Sequence, residues 1–259
     1  MGDIMNFGYA NDLVIFGVDS RRDDNLRSLP RKYLSILLVK RNKTPYKGKW
    51  CLPGGFVNNN ETSKDATLRI LKKETGLTDV YLQQIGVNDD VKRDPRGRII
   101  STTYMALVDR TLLSPDLLDE AEWFDLEITE KKDSIKVNLT NGTDIIEFSV
   151  IKTVVDKLTN NYEYKIQDKK LAFDHDKVLV SSLMELRNRV NHTDIVFHLM
   201  PDLFTIGELK QVYELLLGKK LINSAFRRKI AEKIQVTKKS VKTGGHRPSL
   251  LCKYNKKDL

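Results

Sequence analysis

One stretch decides the fold of this chain of 259 residues: Gly55-Phe-Val-Asn-Asn-Asn-Glu61-Thr-Ser-Lys-Asp-Ala-Thr-Leu-Arg69-Ile70-Leu-Lys-Lys73-Glu74-Thr-Gly76-Leu77. Within it, we predict a helix over Ser63–Thr75. Thr62 and Asp65 have the spacing of a capping box, in which each side chain accepts a hydrogen bond from the other residue's backbone amide. Gly76 suits the position just after a helix, where the backbone often becomes left-handed.

Predicted strands surround this helix in the sequence. They are runs rich in β-branched and large apolar residues, and they occupy Asp12–Val18, Tyr33–Val39, Val80–Val87, Ile99–Val108 and Trp123–Ile128. Pro53-Gly54-Gly55 predicts a turn before the helix. Strands that alternate around one helix indicate an α/β body.

The pattern changes near residue 134. Asn141-Gly142 between two apolar runs, Ile135–Leu139 and Ile145–Val150, predicts a hairpin within an insertion near 134–170. Beyond it we predict three helices and a two-stranded ribbon, which occupy Asp174–Val190, Ile206–Leu217, Ser224–Lys233, Val236–Val241 and Ser249–Tyr254. The sequence therefore predicts two domains, 1–171 and 172–259.

Positive charge is concentrated at the C-terminal end. The chain has 44 Lys and Arg against 35 Asp and Glu, a net charge of +9. The segment Lys219–Leu259 holds 13 basic and 2 acidic residues, a net charge of +11. The other 218 residues hold 31 basic and 33 acidic ones, a net charge of −2. This asymmetry favours a polyanionic partner for the C-terminal segment.

Composition excludes several classes of protein. A hydrophobic fraction of 40% is too high for a disordered chain. The longest apolar runs are strand-sized, so we expect no membrane span, and the N-terminus lacks the basic region of a signal peptide. Cys51 and Cys252 form neither a disulfide framework nor a metal spacing. We therefore expect a cytoplasmic protein.

The stretch quoted first resembles the Nudix box, G-x5-E-x7-R-E-U-x-E-E-x-G-U, in which U is an apolar residue. The resemblance implies the Nudix fold, a mixed sheet with flanking helices. It also implies a MutT-like pyrophosphohydrolase, which cleaves nucleoside diphosphate derivatives with a divalent metal held by Glu residues of this helix. Glu61 and Arg69 match the box and can pair to brace the loop from Gly55 against the helix.

The box has lost carboxylates. Offsets of three and four place residues 70, 73 and 74 on one helical face. The motif has Glu at all three, and this chain has Ile70, Lys73 and Glu74. Because Mg²⁺ requires clustered oxygen ligands and an ammonium repels it, we expect no catalytic residue and no metal site, with only Glu74 left. No cofactor is then required, and Mg²⁺ matters only for residual hydrolysis. Two interpretations of Lys73 stay open: it is merely solvated, or it replaces the missing cation at the ligand's phosphates.

A second motif packs four cations into Lys92–Arg98, before the strand Ile99–Val108. The simplest interpretation is a charged hairpin loop. Arg side chains nevertheless suit bidentate phosphate recognition, and the run from Arg93 to Ser101 resembles a signature of ADP-ribose-recognising Nudix proteins. The predicted ligand-binding residues are therefore Arg93, Asp94, Arg96, Arg98, Lys73 and Glu74.

The last two predicted helices have helix-turn-helix proportions, and the ribbon after them is placed as a wing over phosphates would be, so we predict a winged helix-turn-helix domain. Phe226 and Ile230 can form the inner face of the second helix, while its arginines reach guanine edges in a major groove. A solvated basic surface is the alternative, but the cations cluster on this helix and on the following ribbon. The predicted DNA-binding residues are Ser224, Arg227, Arg228, Lys229, Lys242, His246 and Arg247.

Together the two halves resemble Nudix-related transcriptional regulators. The C-terminal half matches them in Ala172-Phe173-Asp174-His175-Asp176, in Phe204–Glu214, in Phe226–Lys229 and in Gly244-Gly245-His246-Arg247-Pro248. The resemblance implies a homodimer on a palindromic double-stranded operator. It also implies a small effector, either ADP-ribose, as in regulators of NAD metabolism, or a sugar, as in regulators of sugar use.

Two other functions remain as alternatives. A Nudix hydrolase with an accessory domain would cleave a compound such as ADP-ribose, and it would need substitute carboxylates such as Glu120 or Glu122. RNA binding is less compatible with a major-groove helix, because the A-form major groove excludes side chains.

Overall fold

The computed structural model describes residues 7–21, 30–110, 113, 120–156, 158, 161–241 and 248–255. The helices are α1 (Ser63–Thr75), α2 (His175–His192), α3 (Ile206–Leu217) and α4 (Asn223–Ile230), and a 3₁₀ helix spans Ile195–Leu199. The first strands are β1 (Gly8–Arg21), β2 (Arg31–Lys40), β3 (Trp50–Cys51), β4 (Gly54–Phe56), β5 (Tyr81–Asn88) and β6 (Ile99–Asp109). The later strands are β7 (Ala121–Lys131), β8 (Ser134–Thr140), β9 (Ile145–Asp156), β10 (Asn161–Ile166), β11 (Ile234–Val241) and β12 (Ser249–Tyr254).

Within the described ranges, ten strands form one sheet in the order β10-β9-β8-β7-β2-β1-β6-β5, with β3 on β2 and β4 on β1. The strands predicted from the sequence are confirmed, most of them with longer bounds. The predicted turn at Pro53-Gly54-Gly55 is wrong, because Gly54–Phe56 pairs antiparallel with β1 as a strand. Gly54 permits this approach, since a Cβ there would lie 2.8 Å from the carbonyl oxygen of Asn11.

The insertion extends the sheet. Its predicted hairpin is confirmed as β8 and β9, which pair in register from Ser134 with Ile151 to Thr140 with Ile145. Strand β10 was not predicted, and it pairs antiparallel with β9 at one end of the sheet order. Its alternation of Tyr162 and Tyr164 with charged residues is a strand signal that the sequence does contain.

Helix α1 begins and ends as predicted. The Thr62 side chain accepts from the amide of Asp65, whose carboxylate accepts from the amide of Thr62. Gly76 closes the helix with φ of +72°. The Asn11 side chain of β1 donates to the carbonyl of Ser63 at 2.6 Å and to the Thr67 hydroxyl at 2.8 Å. These bonds fix the start of the helix on the sheet.

The chain divides into two compact units. The first unit contains the described residues of Met1–Phe16, Ser35–Leu107 and Leu113–Glu185. The second contains those of Gly17–Leu34, Val108–Leu112 and Leu186–Leu259. The domain boundary predicted between residues 171 and 172 stays a prediction. None of the described helices is both long and apolar enough to cross a membrane.

A buried ion-pair network crosslinks the first unit. Arg93 Nη2 lies 2.7 Å from Asp12 Oδ2 and 2.7 Å from Asp174 Oδ1, and the Arg93 side chain is only 4% exposed. Ser101 also donates to Asp12, and Arg93 Nε donates to Asp174 at 2.9 Å. Strand β1, the loop before β6 and the start of α2 are thereby tied to one guanidinium.

His175 completes this network. Its Nδ1 accepts a hydrogen bond of 2.9 Å from the amide of Leu52, and its Nε2 lies 3.4 Å from Asp12 Oδ1. Burial raises the pKa of Asp12, but His175 and the Arg93 guanidinium outweigh burial and hold that pKa below its usual range. Asp12 is therefore the shared anion of the network.

Replacing Asp12 is expected to destabilise the first unit. Asp12→Asn leaves Arg93 with one carboxylate partner in a buried setting, so the free energy of unfolding should fall by about 3–5 kcal/mol at neutral pH. Urea unfolding measures this. The matched control is Lys136→Ala, which breaks the exposed pair of Lys136 with Glu147 and should cost at most about 1 kcal/mol.

The pH dependence tests the same network. Because the pKa of Asp12 is lowered by folding, the unfolded chain binds that proton first as the pH falls below about 4. Asp12 thus stabilises the fold above this pH, and its contribution disappears on acidification. Asp12→Asn should show a shallower acid loss than the parent. Equal stability of variant and parent at neutral pH would contradict the assignment.

Candidate functional site

The first unit contains a pocket of about 260 Å³. It lies where the residues after β2, strand β4, the last turn of α1, the loop before β6 and the start of α2 come together. Six cationic side chains line it, from Lys40, Arg41, Lys43, Lys73, Arg93 and Arg96. The acidic lining residues are Asp12, Glu74, Asp94 and Glu120. The pocket is therefore rich in donors suited to a polyanion.

The predicted loop residues take different places around this pocket. Arg96 is exposed at its wall, and its Nη2 lies 2.6 Å from the buried Asp94, whose pKa it helps to lower against the effect of burial. Arg93 reaches the lining too, but its guanidinium is occupied by Asp12 and Asp174. Arg98 is not among the lining residues and donates to the carbonyl of Asp89. Within this loop, Arg96 is thus the cation that both lines the pocket and has an exposed side chain.

Two phenyl rings position the pocket arginines. Arg96 Cζ lies 5.2 Å from the ring centroid of Phe56 and 5.4 Å from that of Phe173, and Arg41 Cζ lies 4.7 Å from the Phe173 ring. Such cation–π contacts restrain a guanidinium without using its hydrogen-bond donors. Phe173 has φ of +58°, which is uncommon for a residue with a side chain and is found at functional sites.

The sequence did not assign pocket roles to Lys40, Arg41, Phe56 and Phe173. Phe173 lies in the matched run Ala172–Asp176, which was the available signal for it. Lys40 is the last residue of the buried strand β2 and Arg41 follows it, and no recognisable motif marks these two positions.

The three altered box positions have different surroundings. Ile70 is 4% exposed, and a Cβ on Gly55 would lie 3.6 Å from its Cδ1. Lys73 and Glu74 both line the pocket, with Lys73 Nζ 2.7 Å from Glu74 Oε1. Sequence reasoning placed these two residues at the ligand, and the structure brings them together with Arg96.

Three other carboxylates, Glu61 of the box and Glu120 and Glu122 outside it, have partners other than a metal. Arg69 Nε donates to Glu61 Oε2 at 3.0 Å, which is the brace that the family resemblance implied. Glu120 accepts from Asn42 at 2.7 Å, and Glu122 accepts from Asn141. A divalent metal needs several free oxygen ligands. Because the Lys73 ammonium is paired with Glu74, the residues of the box do not fit such a metal.

A second group of potential metal ligands already has a cationic partner. Asp12, Asp174 and His175 present atoms within 4.8 Å of one another, the arrangement that a metal ion needs. The Arg93 guanidinium binds both of these carboxylates, so a cation is already in place. The group serves the buried network instead.

The insertion touches the pocket rim. Trp50 Nε1 donates to Asp144 Oδ2 at 2.8 Å, and Lys40 Nζ lies 3.5 Å from the same oxygen and 5.0 Å from the Trp50 ring centroid. Asp144 belongs to the turn between β8 and β9. The inserted hairpin therefore orients one of the pocket cations.

The second unit contains the predicted helix pair. The Thr205–Glu208 capping box starts α3, and Gly218 ends it with φ of +66°. In α4, Phe226 and Ile230 are buried as predicted, and the Phe226 ring packs edge-on against Tyr213 at 5.3 Å. The predicted extension of this helix to Lys233 is wrong. The chain turns after Ile230 because β11 begins at Ile234, which pairs with Tyr254 of β12.

The outer face of α4 is cationic. The predicted residues Ser224, Arg227, Arg228 and Lys229 are all exposed. Lys229 Nζ lies 5.1 Å from the Tyr213 ring centroid, and burial with the nearby Lys233 and Lys219 lowers its pKa. The turn before α4 is held by Glu214, which accepts from the amide of Leu221 at 2.7 Å. Lys242, His246 and Arg247 lie outside the described residues.

Comparisons with known proteins match both units. Residues 26–140 match the model of the NUDIX domain, and residues 196–253 match that of the NrtR DNA-binding winged helix domain. The chain is 44% identical over 92 residues to an ADP-ribose pyrophosphatase of Methanocaldococcus jannaschii, a match that covers 35% of this chain and 54% of that enzyme.

Two further proteins are similar over nearly the whole chain. The structure of Shewanella oneidensis NrtR complexed with a 27mer DNA shares the fold, with a TM-score of 0.67, 24% identity, and coverage of 95% of this chain and 93% of that one. The ADPR responsive transcriptional repressor NtrR of Acinetobacter baylyi is 30% identical over 95% of this chain and 82% of its own length. The chain therefore belongs to the family of Nudix-related transcriptional regulators.

Proposed function

We propose that the chain is a transcriptional repressor that binds operator DNA through its second unit and ADP-ribose through the pocket of its first unit. One observation carries the proposal: a Nudix pocket lined by six cations, whose two box carboxylates are each paired with a cation, occurs in a chain with an exposed cationic α4. The 30% identity to an ADPR responsive repressor extends over both units and supports this assignment.

The pocket chemistry favours ADP-ribose over a free sugar. A pyrophosphate offers several anionic oxygens, and the guanidinium groups of Arg41 and Arg96 are suited to bind them. The rings of Phe56 and Phe173 can pack against the flat adenine or the ribose. A neutral sugar offers no anionic oxygen to these guanidinium groups.

The second unit supports a major-groove interaction. Its helix α4 presents Arg227 and Arg228 on one exposed face, while Phe226 and Ile230 anchor the opposite face. Arginine is the commonest reader of guanine edges. We propose that a cytoplasmic homodimer places two such helices on a palindromic operator, and that the predicted residues Lys242, His246 and Arg247 contact the flanking phosphates.

ADP-ribose acts in this proposal by differential binding. A ligand shifts a conformational equilibrium only by the difference in its affinity for the two states. If ADP-ribose prefers the arrangement that binds the operator poorly, it releases the repressor. By reciprocity, operator DNA then weakens ADP-ribose binding by the same factor.

Arg96→Ala is expected to weaken ADP-ribose binding by about 10- to 150-fold, because it removes a charge-assisted donor worth about 1.5–3 kcal/mol. Isothermal titration calorimetry measures the effect. The matched control is Arg98→Ala, which removes an arginine of the same loop that does not line the pocket. Equal losses in both variants would indicate a general charge effect and contradict the pocket assignment.

Arg227→Ala is expected to weaken specific binding to the gene's own upstream region by about 1–3 kcal/mol if Arg227 reads a base. A footprinting titration provides the measurement. Lys64→Ala, an exposed substitution on α1 of the first unit, is the control and should leave operator affinity unchanged. An unaltered footprint for Arg227→Ala would remove that residue from the interface.

ADP-ribose is expected to survive incubation with the protein and Mg²⁺, because Lys73 occupies the carboxylate of Glu74 and Ile70 offers no ligand. Chromatography of the nucleotides gives the result. Turnover near the ordinary enzyme rate of ~10 s⁻¹ would instead assign the chain as a Nudix hydrolase.

A further inference from the structure

We infer that Lys73 takes the place of a divalent metal ion in the pocket, so that a pyrophosphate ligand binds equally well with and without Mg²⁺. The inference rests on the proposed function, because it concerns how the same pocket receives ADP-ribose. A Nudix box implies a divalent metal, but the side chains of this box do not fit one.

The Lys73–Glu74 pair has an asymmetric exposure. Lys73 Nζ lies 2.7 Å from Glu74 Oε1, and the side chains are 74% and 12% exposed, respectively. Both residues line the pocket. The carboxylate is therefore covered, and the ammonium lies above it on the solvent side. An ammonium has three N–H donors, so two remain for a ligand after the bond to Glu74.

Without this lysine, the end of α1 would repel an anion. The carbonyl groups of a helix C-terminus carry partial negative charge, and Glu74 adds a full one. Lys73 lies in the last turn of α1 and offsets the charge of Glu74. In a box with three glutamates, those carboxylates would hold a divalent metal, which would supply the positive charge that attracts phosphate oxygens.

The third altered box position also provides no metal ligand. Ile70 is buried under Gly55 and supplies only apolar contact. Glu74 is then the one carboxylate among the three box positions, and a single side chain is a poor Mg²⁺ site. The change from carboxylates to Ile70 and Lys73 thus removes the metal ligands and places a positive charge in the same helical turn.

The test is calorimetric titration of the full chain with ADP-ribose, in EDTA and in excess Mg²⁺. The parent is expected to bind with the same affinity, within about twofold, in both buffers. Lys73→Ala should lose about tenfold in both, because Glu74 is left without its cation. Lys73→Glu should bind more weakly still in EDTA and regain part of the loss in Mg²⁺, because the introduced carboxylate beside Glu74 creates a site for the ion.

Lys72→Ala is the matched control, since Lys72 is the exposed preceding residue and does not line the pocket. Thermal melting should show that all three variants fold. Parent binding that requires Mg²⁺, or unchanged affinity of Lys73→Ala, would overturn the role of Lys73 and leave the proposed effector intact. An absence of ADP-ribose binding in either buffer would instead overturn the proposed function.

Discussion

The first unit depends on the buried ion pairs that the guanidinium of Arg93 makes. This guanidinium lies between the carboxylates of Asp12 and Asp174, which belong to segments far apart in the chain. Two of these three residues have a neighbour with a pocket role: Phe173 precedes Asp174, and Arg96 follows Arg93 by three positions. A buried charge that loses a partner is costly, so the network fixes the loop and the start of α2 together. The ion pairs of Arg93 therefore hold two walls of the pocket in position.

The burial of Arg93 could not be predicted from the sequence. Four cations lie within Lys92–Arg98, and composition cannot tell which of them is buried. The answer depends on Asp12 and Asp174, each 81 positions from Arg93. The pocket likewise takes Phe56 and Phe173 from separate segments, so their proximity is a property of the sheet. Lys73 and Glu74 were predictable because the box spacing alone places them on one helical face.

Local chemistry made the helix ends predictable, whereas tertiary contacts decided the errors. The capping residues Thr62 and Thr205 bond to amides three positions away, so their signal is complete in the sequence. The helical pattern of α4 ran on to Lys233, but pairing of β11 with β12 ended the helix at Ile230. Strand β10 needed β9 as a neighbour, and its own six residues gave only a weak alternation.

The pocket cations have a consequence for how the protein responds to its surroundings. The 218 residues before Lys219 have a net charge of only −2, yet six cations meet at the pocket, and the partner proposed for α4 is also a polyanion. Mobile ions screen exposed charges that are more than about 10 Å apart at 0.1 M ionic strength, and DNA affinity falls steeply as ionic strength rises. A rise in ionic strength therefore weakens the effector complex and the operator complex in the same direction. Because operator DNA presents many more phosphates than the effector does, operator affinity falls by the larger factor, and the balance shifts towards the effector complex.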